Sequence, residues 1–162
     1  NQGRGEGTRW LQHARLGYNY RLDEMSAALG SAQMDRLEEI LRKRSRVAGW
    51  YTERLRGLEG VEPPHVALNV DMSWFVYVVK LAPEVSRAAV MVRLAEQGVA
   101  SREYFAPIHQ QPYLAEFDVR VGNLPVTEEL GRRTLALPFF STMSETQVDY
   151  VVEAVQQAIA GR

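Results

Sequence analysis

At 162 residues the chain has room for one domain with a true hydrophobic core, and its 46% hydrophobic and 24% charged content is that of an ordinary globular protein. A net charge of −1 supplies no basic field to recruit nucleic acid or an anionic membrane. The absence of cysteine removes disulfides, thiolate metal sites and cysteine nucleophiles, and it fits a reducing cytoplasm, the expected location.

The first 22 residues have no apolar periodicity, carry glycine at positions 3, 5 and 7, and begin with Asn1 rather than methionine. Such an opening suits a chain that starts in mid-loop. Asp23 reads as a helix N-cap, because its carboxylate can accept from first-turn amides. Met25, Ala28, Leu29, Ala32, Leu37, Ile40 and Leu41 follow at helical spacing. Gly30 marks a close helix contact or a bend. From Asp35 to Leu58 the helix is rich in charge, with Glu38 and Glu39 ahead of Arg42 and Lys43 as on a solvated face. Gly57, Gly60 and Pro63-Pro64 end it.

The β-branched and aromatic run Trp74–Leu81 predicts a strand. Ser86 caps a helix that Gly98 stops, and Val99–Tyr104 predicts a second strand. Phe105–Asn123 contains Pro107 and Pro112 and little periodicity, so it reads as a long loop with one turn near Leu114–Phe117. Loops of that length in a compact domain are often functional. A short helix over Pro125–Arg133, a short strand over Thr134–Leu137 and a final helix capped by Ser144 complete the order. Val148, Val151, Val152, Val155 and Ile159 form the apolar stripe of that last helix. Two or three strands with three helices imply a two-layer α+β domain.

Chemistry-bearing residues are few. Lysine is the usual Schiff-base former, but Lys43 and Lys80, the only two, lie on a charged helix face and at a strand end, where solvated charge is the simpler account. His13, His65 and His109 have no metal-ligand spacing, so no metal site is expected. His109 stands out, held between Pro107 and Pro112, either as a site residue or as a loop histidine with a backbone partner. Gly17-Tyr18-Asn19-Tyr20-Arg21 packs an amide, a guanidinium and two phenols ahead of a helix. Those donors suit an anionic or hydroxylated ligand, although a polar lead-in has the same composition.

Three ordered blocks carry a family resemblance. LGYNYRLDEMSAALGSAQMDRLEEILRKR resembles the stretch that follows the active-site lysine in the DegT/DnrJ/EryC1/StrS family of sugar aminotransferases. REYFAPIHQQPYL and LPVTEELGRRTLALPFFSTMSETQVDYVVEAV are similar to two later family motifs. Ser26 departs from the pattern, where many members have glutamine.

The resemblance implies a fold-type-I enzyme dependent on pyridoxal 5'-phosphate, usually a homodimer. Such an enzyme transfers an amino group from an amino acid donor, usually glutamate, to a nucleotide-linked keto sugar. It places this chain at the C-terminal end of the enzyme. It implies a lead-in segment facing the active site over 1–22, a long helical connection over 23–58 and a small α+β domain over 59–162. The lysine and the cofactor bed would lie upstream, leaving no catalytic residue in this chain, which alone would be inactive. By the same resemblance Asn19 would reach the cofactor phosphate of the partner subunit, with Tyr18, Tyr20 and Arg21 flanking it. Arg102, Tyr104 and His109 would lie near the sugar nucleotide. A dehydratase of the same family, in which histidine replaces the lysine, and a non-catalytic dimerisation or regulatory domain are the alternatives.

Overall fold

The computed structural model describes residues 20–117 and 122–161. His13, Tyr18 and Asn19 lie outside them. Two compact units divide after Leu37, within the stretch 23–58 that the sequence suggests is one connection. In the first unit, α1 spans Glu24–Met34, and Asp23 caps it by accepting from the Ser26 amide at 2.9 Å. That bond holds the Asp23 carboxyl below the usual carboxylate range. No residue of α1 is buried among the described residues, and a side chain at Gly30 would meet no atom within 4 Å. Gly30 therefore marks no close contact there.

All of α2, Leu37–Leu55, except its first residue belongs to the second unit. Its buried residues Val47, Ala48, Tyr51 and Leu55 share one helical face. The charged face carries the expected pairs, Glu38 with Arg42 at 3.7 Å and Glu39 with Lys43. Gly57 and Gly60, at φ 81° and 86°, turn the chain into β1, Val61–Glu62. Both angles lie in the left-handed region that glycine alone adopts without penalty.

The sheet is antiparallel throughout, in the order β1, β2, β4, β3. Strand β2 is Tyr77–Leu81 and β4 is Thr134–Leu137, with Tyr77 opposite Leu137 and Lys80 opposite Thr134. Tyr77, Val79 and Leu81 alternate inward, as the pleat requires. β2 starts three residues later than the run Trp74–Leu81 suggests, because Trp74 has φ 47° and cannot continue a ladder. β3 is only Arg102–Glu103, shorter than the expected 99–104. It is an edge strand with one neighbour, and Val99 is spent instead on closing the preceding helix through a 2.8 Å bond from its amide to the Leu94 carbonyl.

That helix is α3, Arg87–Glu96, capped by Ser86. The helix α4, Pro125–Arg133, runs without a linker into β4. The last helix, α5, spans Glu145–Ala160 behind a full capping box, in which Ser144 and Gln147 each bond the other's backbone amide. α2, α3 and α5 all contribute to one core with Tyr77, Val79, Leu81, Leu135 and Leu137. The helices thus cover one face of the sheet, giving the two-layer α+β architecture. Tyr51 stacks on Tyr77 at 4.8 Å, and Trp74 and Phe139 extend the stack at 5.6 and 6.2 Å from Tyr77. Arg54 of α2 ties this core to the first turn of α5 through Glu145 at 2.6 Å and Asp149. The two carboxylates push its pKa up.

Candidate active-site segment

The loop expected over Phe105–Asn123 is not loose where it follows β3, and its first part forms one segment with Arg102–Tyr104 that runs to Tyr113. Its middle and end form 3-10 turns at Ile108–Gln110 and Pro112–Glu116. It is fastened to α3, α4 and β4 at four places. Glu103 pairs with Arg87 of α3 at 2.9 Å, and Arg87 also donates to the carbonyls of Gly131 and, at 3.3 Å, Thr134. The Thr134 hydroxyl meets the Tyr104 carbonyl at 2.5 Å. Gly131 lies so close beneath Pro107 that a Cβ there would stand 2.9 Å from its Cδ and Cγ and 3.2 Å from the Phe105 carbonyl. Finally, His109 Nε2 lies 3.1 Å from Glu128 Oε1.

The sheet register sorts the side chains. Arg102 stands opposite Ala136 and Glu103 opposite Leu135, so Glu103 shares the face on which Leu135 enters the core. That is the face covered by α3, where Arg87 meets it. By alternation Arg102 points from the opposite face. Arg102 is exposed and has no polar partner among the described residues. Tyr104 is half-buried, its ring 4.0 Å from that of Phe105 and 6.5 Å from that of Phe75. His109 is only 14% exposed. The structure therefore brings Arg102, Tyr104 and His109 onto one fastened segment with a free guanidinium, a phenol and an oriented imidazole. Such groups bind hydroxyls and phosphates.

Phe75, Arg87, Glu128, Gly131 and Thr134 belong to this segment's surroundings and do not stand out in the sequence. Gly131 leaves one signal: a glycine inside a short helix, where it disfavours helix, implies a close neighbour. Tyr20 and Arg21 belong to the first unit, both exposed, immediately before α1. Two open clefts of about 670 and 620 Å³ flank α2, bounded by Ser45, Val66 and Trp74 among others. No residue of the Arg102–Tyr113 segment lines them.

With this segment in place, comparison with known proteins is decisive. The model of the DegT/DnrJ/EryC1/StrS aminotransferase family matches residues 1–156. The chain belongs to that family. A GDP-perosamine synthase from Caulobacter vibrioides is 35% identical over 147 residues, 89% of this chain and 39% of the relative. A UDP-N-acetyl-3-dehydro-alpha-D-glucosamine 3-aminotransferase from Acidithiobacillus ferrooxidans is 33% identical over 150 residues, 92% of this chain and 39% of the relative. The crystal structure of a DegT DnrJ EryC1 StrS aminotransferase from Brucella abortus superposes with a TM-score of 0.83 at 28% identity, covering 98% of this chain and 41% of that one. The DegT/DnrJ/EryC1/StrS chain described here thus spans about 39% of the length of the curated relatives it matches.

Aminotransferases of the DegT/DnrJ/EryC1/StrS family depend on pyridoxal phosphate, which binds covalently to a lysine. Both lysines are engaged in surface ion pairs, Lys43 with Glu39 and Lys80 with Glu62 at 2.5 Å. Neither lines the two clefts beside α2. Among the described residues no cluster of histidine and carboxylates could hold a metal ion, and no helix is long and apolar enough to cross a membrane.

Proposed function

We propose that this chain is the C-terminal part of a cytoplasmic, homodimeric aminotransferase that transfers an amino group from an amino acid, glutamate, to a nucleotide-linked keto sugar. The observation that carries the proposal is the family match over residues 1–156. The fastened Arg102–His109 segment supports the substrate class. A guanidinium without a protein partner is suited to a diphosphate, and the phenol and imidazole are suited to sugar hydroxyls. The relative named as a 3-aminotransferase favours amination over the dehydratase alternative.

In this proposal Asn19, with Tyr18, Tyr20 and Arg21 beside it, serves the cofactor phosphate of the partner subunit. Two amide donors on a short side chain suit a phosphate oxygen. Arg102, Tyr104 and His109 bind and orient the nucleotide sugar, and the lysine and cofactor bed belong to the remainder of the enzyme.

The test is to supply the full-length enzyme with pyridoxal phosphate, glutamate and nucleotide-linked keto sugars and to follow the aminated product by mass spectrometry. Borohydride reduction followed by peptide mapping locates the cofactor-bearing lysine. Attachment outside residues 1–162 and an aminated sugar are the expected results. Cofactor fixed to Lys43 or Lys80 would overturn the proposal, as would failure of amination with every keto sugar tried.

A further inference from the structure

Of the four fastenings of the Arg102–Tyr113 segment, only one grips a side chain proposed to meet substrate. His109 Nε2 faces Glu128 Oε1 at 3.1 Å, with Glu128 32% and His109 14% exposed. A carboxylate offers acceptors only, so Nε2 must be the protonated nitrogen of the ring. In the neutral imidazole the other nitrogen, Nδ1, then carries a lone pair and no proton. Nδ1 has no partner among the described residues, and no buried side-chain nitrogen or oxygen among them is left unpaired. In the neutral ring the open nitrogen is therefore an accessible acceptor.

The ring is restrained from both sides of the pair. Gly131, one turn beyond Glu128 on α4, admits Pro107 at van der Waals limit, and Pro107 begins the turn that holds His109. Glu128 itself lies in the first turn of α4, a helix continuous with the buried strand β4. The carboxylate is thus mounted on the core of the domain and not on a second loop.

We propose that Glu128 is a positioning residue for substrate recognition. It holds the His109 ring through Nε2 so that Nδ1 is presented as an acceptor, selecting a hydroxyl group of the sugar at that place. This rests on the proposed role of His109 at the nucleotide sugar. A sugar carrying a carbonyl or a second acceptor there would meet lone pair against lone pair and be disfavoured, which makes the pair a determinant of sugar specificity.

The test uses the full-length enzyme and two independent readouts. Nitrogen-15 spectra of histidine-labelled protein, with the His109 signals assigned by their loss in His109→Ala, report which ring nitrogen carries the proton. A protonated Nε2 and bare Nδ1 are expected, and the reverse would overturn the proposal whatever the activity. Steady-state kinetics give the second readout. Glu128→Ala and His109→Ala should each raise KM for the nucleotide sugar roughly tenfold with kcat changed less than about twofold, the size of one lost hydrogen bond.

The double variant should be no worse than either alone. Glu128→Gln, whose carbonyl can still accept from Nε2, should recover most of the loss. An unchanged KM in Glu128→Ala beside a raised KM in His109→Ala would overturn the positioning role and leave the site intact. An unchanged KM in His109→Ala would remove His109 from the site, and this proposal with it.

Discussion

The contact between α4 and the Pro107 segment can be tested with a single methyl group. In most helices, replacing glycine by alanine stabilises by about 1 kcal/mol, because alanine loses less backbone freedom on folding. Gly131→Ala should not. The new Cβ would lie 2.9 Å from two carbons of the Pro107 ring and 3.2 Å from the Phe105 carbonyl. Ordinary carbon contacts lie at about 3.5–4.0 Å, so the segment must retreat by roughly 0.6–1 Å. The obstacle is a ring closed on its own backbone, which cannot swing aside as a flexible side chain would.

Overpacking of this kind costs about 1–3 kcal/mol, so the net change should fall between about zero and a loss of 2 kcal/mol instead of a gain. The same retreat would stretch the 3.1 Å contact between His109 and Glu128 beyond hydrogen-bonding range. KM for the nucleotide sugar should rise. Gly49→Ala is the control: it lies exposed within α2, where a Cβ meets nothing within 4 Å, and should give the ordinary gain. Urea unfolding of both variants decides the matter. A gain of about 1 kcal/mol in Gly131→Ala, equal to that of Gly49→Ala and with KM unchanged, would refute the close packing.

Tyr51 donates to the Pro138 carbonyl at 2.7 Å within the core, and burial pushes its pKa well above the ordinary tyrosine value. Burial pushes Tyr77 up to about 12. The folded state therefore holds phenol protons that the unfolded chain releases near pH 10, so stability is intact below pH 10 and falls as pH rises toward 12. Each tyrosine withdraws up to about 1.4 kcal/mol per pH unit in that window. Tyr51→Phe should flatten the alkaline slope while losing about 1 kcal/mol at neutral pH, as followed by denaturation across pH. Ser144→Ala removes half of the α5 capping box and should cost about 1 kcal/mol, lowering Tm by roughly 2–4 °C in calorimetry. Asn19→Ala in the full-length enzyme should weaken retention of pyridoxal phosphate about 10- to 150-fold, measured by absorbance after dialysis, since a hydrogen bond to a charged group contributes about 1.5–3 kcal/mol.

The parts of the fold visible in the sequence are those governed by local chemistry. Asp23, Ser86 and Ser144 announce three helix starts because each side chain bonds an amide only three residues away. The bounds of α4 and β4 also agree with expectation, set by Pro125 at one end and by the switch from helical to extended spacing at Thr134. β1 is invisible because two residues between Gly60 and Pro63 cannot display alternation, and only their pairing with Lys80 and Leu81 makes them a strand. The candidate site divides in the same way. Arg102, Tyr104 and His109 are legible as polar residues in a proline-stiffened loop. Arg87, Glu128 and Thr134 are not, because each acts across 16 to 47 residues of chain, a distance over which spacing carries no information.

The direct passage of α4 into β4 has a consequence for how the domain breathes. Glu128, Gly131 and Thr134 lie on one continuous stretch that ends in the buried residues Leu135 and Leu137. A loop fastened only to other loops opens by itself, at little free-energy cost. This one cannot leave its seat without loosening three points along a rod rooted in the core. The amides of Gln110 and Gln111, which donate to the Pro107 and Ile108 carbonyls, should accordingly exchange with deuterium in step with the strands and not in advance of them, so that the substrate-facing segment shares the thermal endurance of the sheet.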